Sequence, residues 1–522
     1  MFLKKVSLKE FYLDSTSIAT EVSKINNHLF KLGFLQKKIE SISKSDSLYI
    51  VNYHLGVQFQ KINLKVSSKY GIDDFLIQNK YKKTQNTITL EFNNIEKFLN
   101  QLTKYLNSLG DSFSKVALKN IHFKKNTAHA LLLITKTKKR TIDKIIIKGY
   151  SNFPKAFSKI LFNSRIKSTY NQDNLNAISS IIKSIPFVEE IKKPATLFTK
   201  DSTLIYIYLK KKKSNRFDGL IGFSNNNSKK GIDFEGNLTL HLKNSFNKGE
   251  ELKLNWNSNP NIKHLSLSIY TPFVFKSAFS PKINFEMFSK DSSFINLKST
   301  LDLNYYINSK HKISGIFSSE KSSDLLNNSN QTILDFNNYF YGLKYSYAKL
   351  TNITSSRNKF MFSINGLFGK RNSTTINDKQ EKVILNTSYE YYLNKKNSIY
   401  IRNTSEVLFS SKHLNNELFR IGGSRSIRGF NEESILSTAN TVFNLEYHFQ
   451  TNKKSYLYSI SDFAHTENKI TNKNSKLYGF GVGYSLLSKN NLFKLSYVVG
   501  KTNNQPINLT NAVVHLEIIS FF

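Results

Sequence analysis

The stretch best suited to specific chemistry is residues 420–430, which read Arg-Ile-Gly-Gly-Ser-Arg-Ser-Ile-Arg-Gly-Phe. Its glycines interrupt both helical and strand patterns, which predicts a shaped loop. Such a loop can hold one guanidinium at a fixed place, where it binds a carboxylate through two parallel hydrogen bonds that lysine cannot form. We therefore predict that Arg428 is carried into a buried site by this loop. The predicted loop residues are Arg420, Gly422, Gly423, Ile427, Arg428, Gly429 and Phe430.

Residues that could support catalysis or metal binding are scattered. The eleven histidines form no His-x-x-x-His or Glu-x-x-His pair on a predicted helix. Ser424 and Ser426 lie beside glycine and arginine but outside any Gly-x-Ser-x-Gly turn. The absence of cysteine excludes disulfides and thiolate metal sites. We therefore expect no enzymatic activity, no metal and no cofactor.

The elements around the loop carry the pattern of strands with two unlike faces. Leu252, Leu254 and Trp256, for example, alternate with Lys253 and Asn255, and similar segments recur up to the last residue. No run of about 18 uncharged apolar residues occurs, and mean hydropathy is −0.38. We predict about 16 strands closing a transmembrane antiparallel β-barrel over 215–522. A soluble sandwich or propeller is disfavoured because the strands are long and lack a blade repeat.

The first 212 residues follow a different pattern, in which helical segments alternate with short strands. Predicted helices end at Gly33, Gly110 and Pro186, which are 77 and 76 residues apart. This spacing predicts a repeated α+β unit, each a helix pair on a short sheet. The predicted domains are 1–60, 61–138, 139–212 and the barrel 215–522. Strands near Lys115–Phe123 and Thr203–Leu209 are candidate sheet edges for an extended client chain.

The charge balance is strongly basic, with a formal net charge of +38. The lysines are scattered among Asn and Ser with no DNA-docking helix, so we expect no nucleic-acid partner. The N-terminal residues 1–6 resemble the charged start of an export signal, yet polar residues interrupt the apolar segment that should follow. Because the rest of the chain favours export, we expect that the start is trimmed or misassigned.

Several motifs together resemble those of a known family. Ile427-Arg428-Gly429-Phe430 stands in a late loop, Ser461-Asp462-Phe463-Ala464 lies on a later strand, and Gly479–Tyr484 forms a glycine-rich strand after it. The chain ends on alternating apolar residues and Phe522. With the repeated units, this arrangement resembles the BamA/TamA superfamily of outer-membrane assembly and two-partner-secretion proteins. The N-terminal units resemble polypeptide-transport-associated (POTRA) domains, and three of them are most similar to the TamA-like arrangement.

The resemblance implies a site, a place and a task. It places Asp462 on an inward-facing strand position, as the partner of Arg428; Glu446, on the polar face of the preceding strand, is the second choice. Ala464 stands where the family usually has glycine. Phe522 resembles the C-terminal recognition signal of outer-membrane barrels. The implied location is the bacterial outer membrane, with the N-terminal domains in the periplasm.

Two functions from different classes stay open. The first is an assembly, insertion or translocation factor that receives unfolded outer-membrane or secreted clients on its POTRA domains, with the lipid bilayer and a periplasm-spanning or lipoprotein partner beside it. The alternative is a passive outer-membrane channel or a two-partner-secretion pore. The N-terminal repeats favour the first, because a passive pore has no use for about 200 residues of soluble domains.

Overall fold

The structure is a computed structural model that describes residues 11, 14–46, 48–226, 231–290, 293–308, 310–325, 332–349, 359–373, 375–503 and 508–522. The charged start at 1–6 lies outside the described residues. The chain forms two compact units. The first comprises 1–144, 165–177 and 196–205, and the second comprises 145–164, 178–195 and 206–522.

Five α-helices occur in the described residues, all before the barrel. They are α1 Ser15–Lys31, α2 Asp73–Gln78, α3 Ile95–Ser108, α4 Lys155–Asn163 and α5 Gln172–Ser184. The sequence explains the limits of α1: the Asp14 side chain caps it by accepting a hydrogen bond from the Ser17 amide at 2.7 Å. Gly33, with φ +94°, follows its C-terminus. Among the described residues, no helix is both long and apolar enough to cross a bilayer.

In the described residues, ten strands precede the barrel and form three small sheets. The strands are β1 Lys38–Ser45, β2 Leu48–His54, β3 Lys61–Lys65, β4 Lys83–Thr84, β5 Thr87–Glu91, β6 Lys115–Lys124, β7 Thr127–Thr135, β8 Lys144–Lys148, β9 Val188–Phe198 and β10 Thr203–Lys211. β1 and β2 form a hairpin, the second sheet has the order β4-β5-β3-β7-β6, and the third has the order β8-β10-β9.

The five-stranded sheet holds the main core of the first compact unit. α3 presents Phe98 and Leu102, which are fully buried, in the same apolar cluster as Ile62 and Leu64 of β3 and Leu132 of β7. The helical period of the α3 residues and the alternation along the strands place these side chains on facing surfaces. This helix-on-sheet packing is the α+β architecture predicted for the N-terminal repeats.

Several predictions about these elements need correction. The described residues of the region 1–60 form one helix and one hairpin, and the predicted helix pair stays a prediction there. The helix α2 and the strands β4 and β5 had no counterpart in the sequence prediction. The strand Thr203–Lys211 lies between two neighbours and offers no free edge, whereas Lys115–Lys124 is an edge strand. The predicted domain boundaries at 60, 138 and 212 stay predictions.

The barrel is closed by sixteen antiparallel strands, which confirms the predicted fold class. They are β11 Arg216–Asn226, β12 Gly231–Lys243, β13 Glu251–Asn259, β14 Ile262–Tyr270, β15 Phe279–Lys290, β16 Phe294–Tyr306, β17 His311–Asp324, β18 Phe336–Lys349, β19 Phe360–Ser373, β20 Asp378–Tyr392, β21 Asn397–Phe409, β24 Ala439–Asn452, β25 Ser455–Asn468, β26 Lys473–Ser488, β27 Asn491–Thr502 and β28 Val513–Phe521. Two further short strands, β22 Phe419–Ile421 and β23 Ile435–Ser437, pair in the connection between β21 and β24.

The two faces of the barrel wall differ as the alternation predicts. On β18, Tyr339, Tyr341 and Leu343 are exposed outward, whereas Asn338 and Phe340, each next to Tyr339, are buried on the inner side. An outward apolar belt satisfies a lipid environment, since all backbone groups along the strands bond within the closed sheet. The inner face is free to carry polar and charged residues that would be costly in lipid.

Within the second compact unit, α4 packs against the connection between β14 and β15. The ring of Phe157 lies edge-on to Phe273 at a centroid distance of 5.0 Å. Nearby, the Asn244 amide donates to the Tyr150 hydroxyl at 2.7 Å, and both side chains are buried. These contacts lie at the barrel end where β11 begins, which is opposite to the end that carries the connection 410–438.

Candidate functional site

The loop predicted from the sequence is part of the long connection 410–438. The short hairpin of β22 and β23 forms its base, and its tip turns inward so that Arg428 reaches the inner faces of β24 and β25. The wall also holds the backbone of the tip: the Asn444 amide donates to the Ser426 carbonyl at 2.8 Å. The Arg402 guanidinium donates to the Arg425 carbonyl at 2.5 Å. The loop is thus fixed against one side of the lumen.

The structure brings Arg428 together with both carboxylates named from the sequence. Its Nε and Nη2 atoms donate to the two oxygens of Asp462 at 2.7 and 2.6 Å. Its backbone amide donates to the same carboxylate at 3.1 Å. Its Nη1 atom donates to Glu446 Oε1 at 2.6 Å. Arg428 is 9 % exposed and Asp462 is 2 % exposed. Because bulk water cannot reach these side chains in the docked loop, the ion pair can separate only if the loop moves.

A histidine extends this cluster of charges. His448 Nε2 lies 2.8 Å from Glu446 Oε2, and His448 is itself buried on the inner face of β24. One carboxylate therefore bridges the imidazole and the guanidinium, while Asp462 serves Arg428 alone among the ion pairs of the described residues. The bidentate pair with Asp462 sets the orientation of Arg428, because its two parallel bonds fix the plane of the guanidinium.

Glycine is required where the tip meets the wall. Gly429 has φ +86°, and a Cβ there would lie 2.6 Å from the Gly500 amide nitrogen on β27. A Cβ on Gly500 would in turn collide with the Gly429 carbonyl, and one on Gly479 of β26 would collide with the Arg428 carbonyl. Loop and wall therefore approach backbone to backbone, which only glycines on both surfaces permit.

Apolar side chains anchor the same tip. Ile427 is fully buried in a small cluster with Ile421, Val442, Ala464 and Leu477, and Phe430 packs against that cluster. Ala464, which stands where the family usually has glycine, is fully buried there. Burying a side chain the size of Ile contributes about 1.5 to 3 kcal/mol, so the tip is held by packing as well as by charge.

The remaining predicted residues lie away from the Arg428 cluster. Gly422, with φ +118°, and Gly423, with φ +90°, shape the turn after β22. Arg420 stacks over the Phe288 ring at 3.6 Å and reaches Glu433 at 3.5 Å, so it braces the loop base and does not join Arg428. Phe522 is 51 % exposed and donates its amide to the Asn215 carbonyl at 3.1 Å, beside the start of β11.

A second buried arginine was not predicted from the sequence. Arg371 on β19 is fully buried, and its Nη1 atom donates to Glu417 Oε1 at 2.5 Å and to the Lys412 carbonyl at 3.2 Å. Gln380 donates to the other Glu417 oxygen at 2.9 Å. These bonds hold the segment Ser410–Leu418 at the barrel end opposite to the start of β11. The alternation could have placed Arg371 on the inner face, but no local pattern relates it to Glu417.

The ionisable groups form ion pairs and not a metal site. In the described part of the chain, no group of three His, Asp or Glu side chains is arranged to hold a metal ion. The arrangement can hold a loop in the lumen and release it as a unit, because the Arg428 pairs, the glycine contacts and the apolar cluster all join the same tip to the same wall.

Comparisons with known proteins agree with this architecture. The model of the haemolysin secretion/activation protein family ShlB/FhaC/HecB matches residues 309–486, which contain the loop and both carboxylates. The structure of CdiB from Acinetobacter baumannii is 15 % identical, with 98 % of this chain and 100 % of that chain covered and a TM-score of 0.52. CdiB from Escherichia coli is 11 % identical, with 98 % and 100 % covered and a TM-score of 0.53.

Another solved structure, BamA from Haemophilus ducreyi lacking POTRA domains 1–3, is 15 % identical, covers 82 % of this chain and 93 % of its own, and has a TM-score of 0.48. No curated protein sequence matches the chain significantly. At these identities the two CdiB structures establish a shared fold. The family match is the part of the comparison that bears on the loop itself.

Proposed function

We propose that this chain, which resembles the BamA/TamA superfamily of outer-membrane assembly and two-partner-secretion proteins, passes a secreted polypeptide through its barrel. The observation that carries this proposal is the match of residues 309–486 to a haemolysin secretion family. The matched stretch includes Arg428 and its two carboxylates, so the family likeness covers the part of the molecule that occupies the lumen. The TamA-like arrangement expected from three N-terminal units stays a prediction.

The way the loop is held supports a transport role. A polypeptide can cross the lumen only if the loop tip leaves room for it, and the tip is attached through one set of contacts around Arg428. Breaking that set is a discrete step, because the carboxylates of Asp462 and Glu446 must find water or another cation when the arginine leaves. The loop is therefore suited to two positions, docked and undocked. The proposed transport involves no covalent step and no cofactor.

The N-terminal units supply a place for a client to arrive. β6 is an edge strand of the five-stranded sheet, and its residues are mostly exposed. An extended client can add to such an edge through backbone hydrogen bonds, with little dependence on its side chains. The register of β6 with β7 shifts between Lys119 and His122, so the regular part available for pairing is Lys115–Lys119. A periplasm-spanning or lipoprotein partner stays a prediction.

We place the barrel in a bacterial outer membrane with the N-terminal units in the periplasm. The apolar outer face and the family of secretion proteins support the membrane, and the even strand count puts both ends of the barrel sequence on one side. Protease added to intact cells should leave the N-terminal units uncut and should cut them after the outer membrane is permeabilised. Digestion of these units in intact cells would reverse the proposed orientation.

A second function, insertion of other barrels, is favoured by the closing seam. In the described residues, β11 pairs with β28 only through Arg216 with Phe521 and Phe217 with Ser520. The neighbouring pair β27 and β28 joins eight residue pairs. A seam with so few ladder bonds is the place where the barrel wall opens most easily, and an open edge would accept a client strand.

One experiment separates the two functions. The chain is deleted in its natural host, and the surface, medium and outer-membrane proteomes are quantified with and without a complementing copy. Secretion predicts that one large polypeptide disappears from the surface or medium while other outer-membrane barrels stay at normal levels. Loss of several barrels at once would favour insertion, and normal levels of every exported and outer-membrane protein would refute both.

A further inference from the structure

Four lysines occupy the inner wall of the barrel on neighbouring strands. We name them the lysine stripe: Lys253 on β13, Lys282 on β15, Lys312 on β17 and Lys344 on β18. All four are partly buried. They lie in the half of the lumen nearer the start of β11, because each stands close to that end of its strand or midway along it.

Their inward direction follows from the strand period. Ile283, Ile313 and Leu343, which are sequence neighbours of three stripe lysines, are all exposed on the outer face. Successive side chains point to opposite faces of a strand, so Lys282, Lys312 and Lys344 point into the lumen. Lys253 pairs in register with Ser268, whose sequence neighbour Ile269 is exposed on the outer face. The stripe therefore faces whatever passes through the barrel and not the lipid.

The stripe lysines lack the partners that other lumen lysines have. Lys298 and Lys382 both contact Glu320, at 2.9 and 2.8 Å. Within the described ranges, no carboxylate oxygen lies within 4.0 Å of the ammonium of any stripe lysine. Glu251, the acidic neighbour of Lys253 in sequence, is already paired with His241 at 2.9 Å. The positive charge of the stripe is thus available to a mobile anion.

The register also brings like charges together. Lys312 pairs with Ser346, two residues from Lys344 on the same strand, so the two lysines are diagonal neighbours. Diagonal neighbours on one sheet face are about 7 to 8 Å apart, close enough for repulsion. Lys282 acts electrostatically on both of them, and Asp302, which pairs in register with Lys282, partly offsets the positive charge around Lys312 and Lys344. An anion that entered this region would relieve the repulsion.

The docked loop adds a positive charge to the same region of the lumen. Arg425 is exposed at the loop tip, and it acts electrostatically on Lys253, as does Arg216. Cations of the loop tip and of the barrel wall therefore act on the same part of the lumen. A chain carrying carboxylates would be attracted to this space, and a basic chain would be repelled from it.

We propose that the lysine stripe binds acidic segments of the polypeptide as it passes through the lumen. This inference rests on the proposed function and deepens it, since it states which client chemistry the barrel selects. Lysine suits this use because its ammonium is a flexible point charge that binds carboxylates without demanding one geometry. A sliding chain needs such exchangeable contacts. The inward direction of the stripe favours a polypeptide over lipid phosphates, which lie outside the wall.

The test measures peptide binding to the purified full chain in detergent. The probes are three fluorescent 20-residue Gly/Ser peptides that carry glutamate, glutamine or lysine at every fourth position. Fluorescence anisotropy should show tightest binding of the glutamate peptide, and raising NaCl from 50 to 500 mM should weaken it about tenfold through screening. Replacing the four stripe lysines with glutamine should weaken glutamate-peptide binding by about tenfold or more.

A matched variant controls for general basic charge. It replaces four exposed lysines of the first compact unit that lie outside β6 with glutamine, namely Lys61, Lys65, Lys97 and Lys104. This variant loses the same net charge and should keep glutamate-peptide binding within about twofold of the unmodified protein. If it loses binding while the stripe variant retains it, the site lies on the N-terminal units and the inference is wrong. Equal binding of all three peptides would also overturn it.

Two further measurements keep the result interpretable. If the fourfold stripe variant does not fold, the pairs Lys253→Gln with Lys282→Gln and Lys312→Gln with Lys344→Gln are tested separately, each with an expected partial loss. Reversal potentials across a planar bilayer under a KCl gradient should shift toward cation preference in the stripe variants. The purified protein could still select the glutamate peptide while deletion of the chain in the host changes no exported protein. That pair of results would support acidic binding by the lysine stripe and refute the proposed function. Loss of one exported polypeptide on deletion, together with no peptide selectivity, would support the proposed function and refute acidic binding by the lysine stripe.

Discussion

Removing Arg428 should release the loop from the lumen wall. Arg428→Ala leaves the carboxylates of Asp462 and Glu446 buried without the cation that now lies 2.6 Å from each. Breaking a buried ion pair from one side typically costs about 3 to 5 kcal/mol. A free-energy change of 1.36 kcal/mol corresponds to a tenfold change in an equilibrium constant. The undocked fraction should therefore rise by about 100-fold to 5,000-fold, and by less where packing of the apolar cluster still holds the tip.

The absence of native cysteine allows a direct assay of docking. Ile427 is fully buried in the docked loop, so a cysteine placed there reacts with a water-soluble maleimide only when the tip undocks. The labelling rate in the Ile427→Cys background should increase by at least 100-fold with Arg428→Ala. Asp462→Ala should have a smaller effect, because Arg428 keeps its bond to Glu446. The double variant should label no faster than Arg428→Ala alone.

The controls separate geometry from charge. Arg428→Lys keeps one positive charge but cannot form the two parallel bonds, so its labelling rate should fall between those of the parent and the alanine variant. Arg425→Ala removes an exposed arginine from the same tip and should change labelling by less than about threefold. An unchanged rate with Arg428→Ala, or additive increases in the double variant, would refute the inference that the ion pair holds the loop.

Three further perturbations test other contacts of the barrel. Arg371→Gln should expose the connection 410–418 to trypsin in the folded protein, because the cation that binds Glu417 is lost; fragment mapping by mass spectrometry measures this. Gly429→Ala should raise labelling at position 427 by tenfold or more, since its Cβ would clash with the wall. Phe157→Ala should cost about 3 to 5 kcal/mol where α4 packs, which hydrogen exchange of that helix would detect.

Each of these three variants has a control substitution that we expect to have no effect in the same assay. Lys370→Gln changes the exposed residue next to Arg371, and equal proteolysis of both variants would contradict a specific role for Arg371. Gly315→Ala adds a methyl where no heavy atom lies within 4 Å, so it should leave labelling unchanged. Lys159→Ala lies on the exposed face of α4, and an exchange rate like that of Phe157→Ala would mean that packing is not the cause.

The barrel was predictable because alternation is a local property of the sequence. Apolar and polar residues alternate within each strand's own sequence, so strand number and direction can be predicted without knowledge of distant contacts. The loop tip was predictable for a similar reason, since glycines beside an arginine mark a shaped turn. The partnership with Asp462, in contrast, came from the family resemblance, because nothing local to Asp462 indicates which loop reaches it.

The features that were not predicted from the sequence depend on long-range pairing or on very short elements. Arg371 and Glu417 are 46 residues apart and meet only because the barrel closes. The central position of Thr203–Lys211 is a property of strand order, which a single strand's pattern does not contain. The helix Asp73–Gln78 has six residues, too few to show a helical period.

The most direct test of transport through the lumen is site-specific crosslinking in the natural host. A photoreactive residue is placed at Ser268, which faces the lumen, or at the adjacent Ile269, which is exposed on the outer face. Transport through the barrel predicts that position 268 crosslinks to an exported polypeptide during secretion and that position 269 does not. Crosslinks from position 269 alone, or none from position 268 while secretion proceeds, would contradict passage through the lumen.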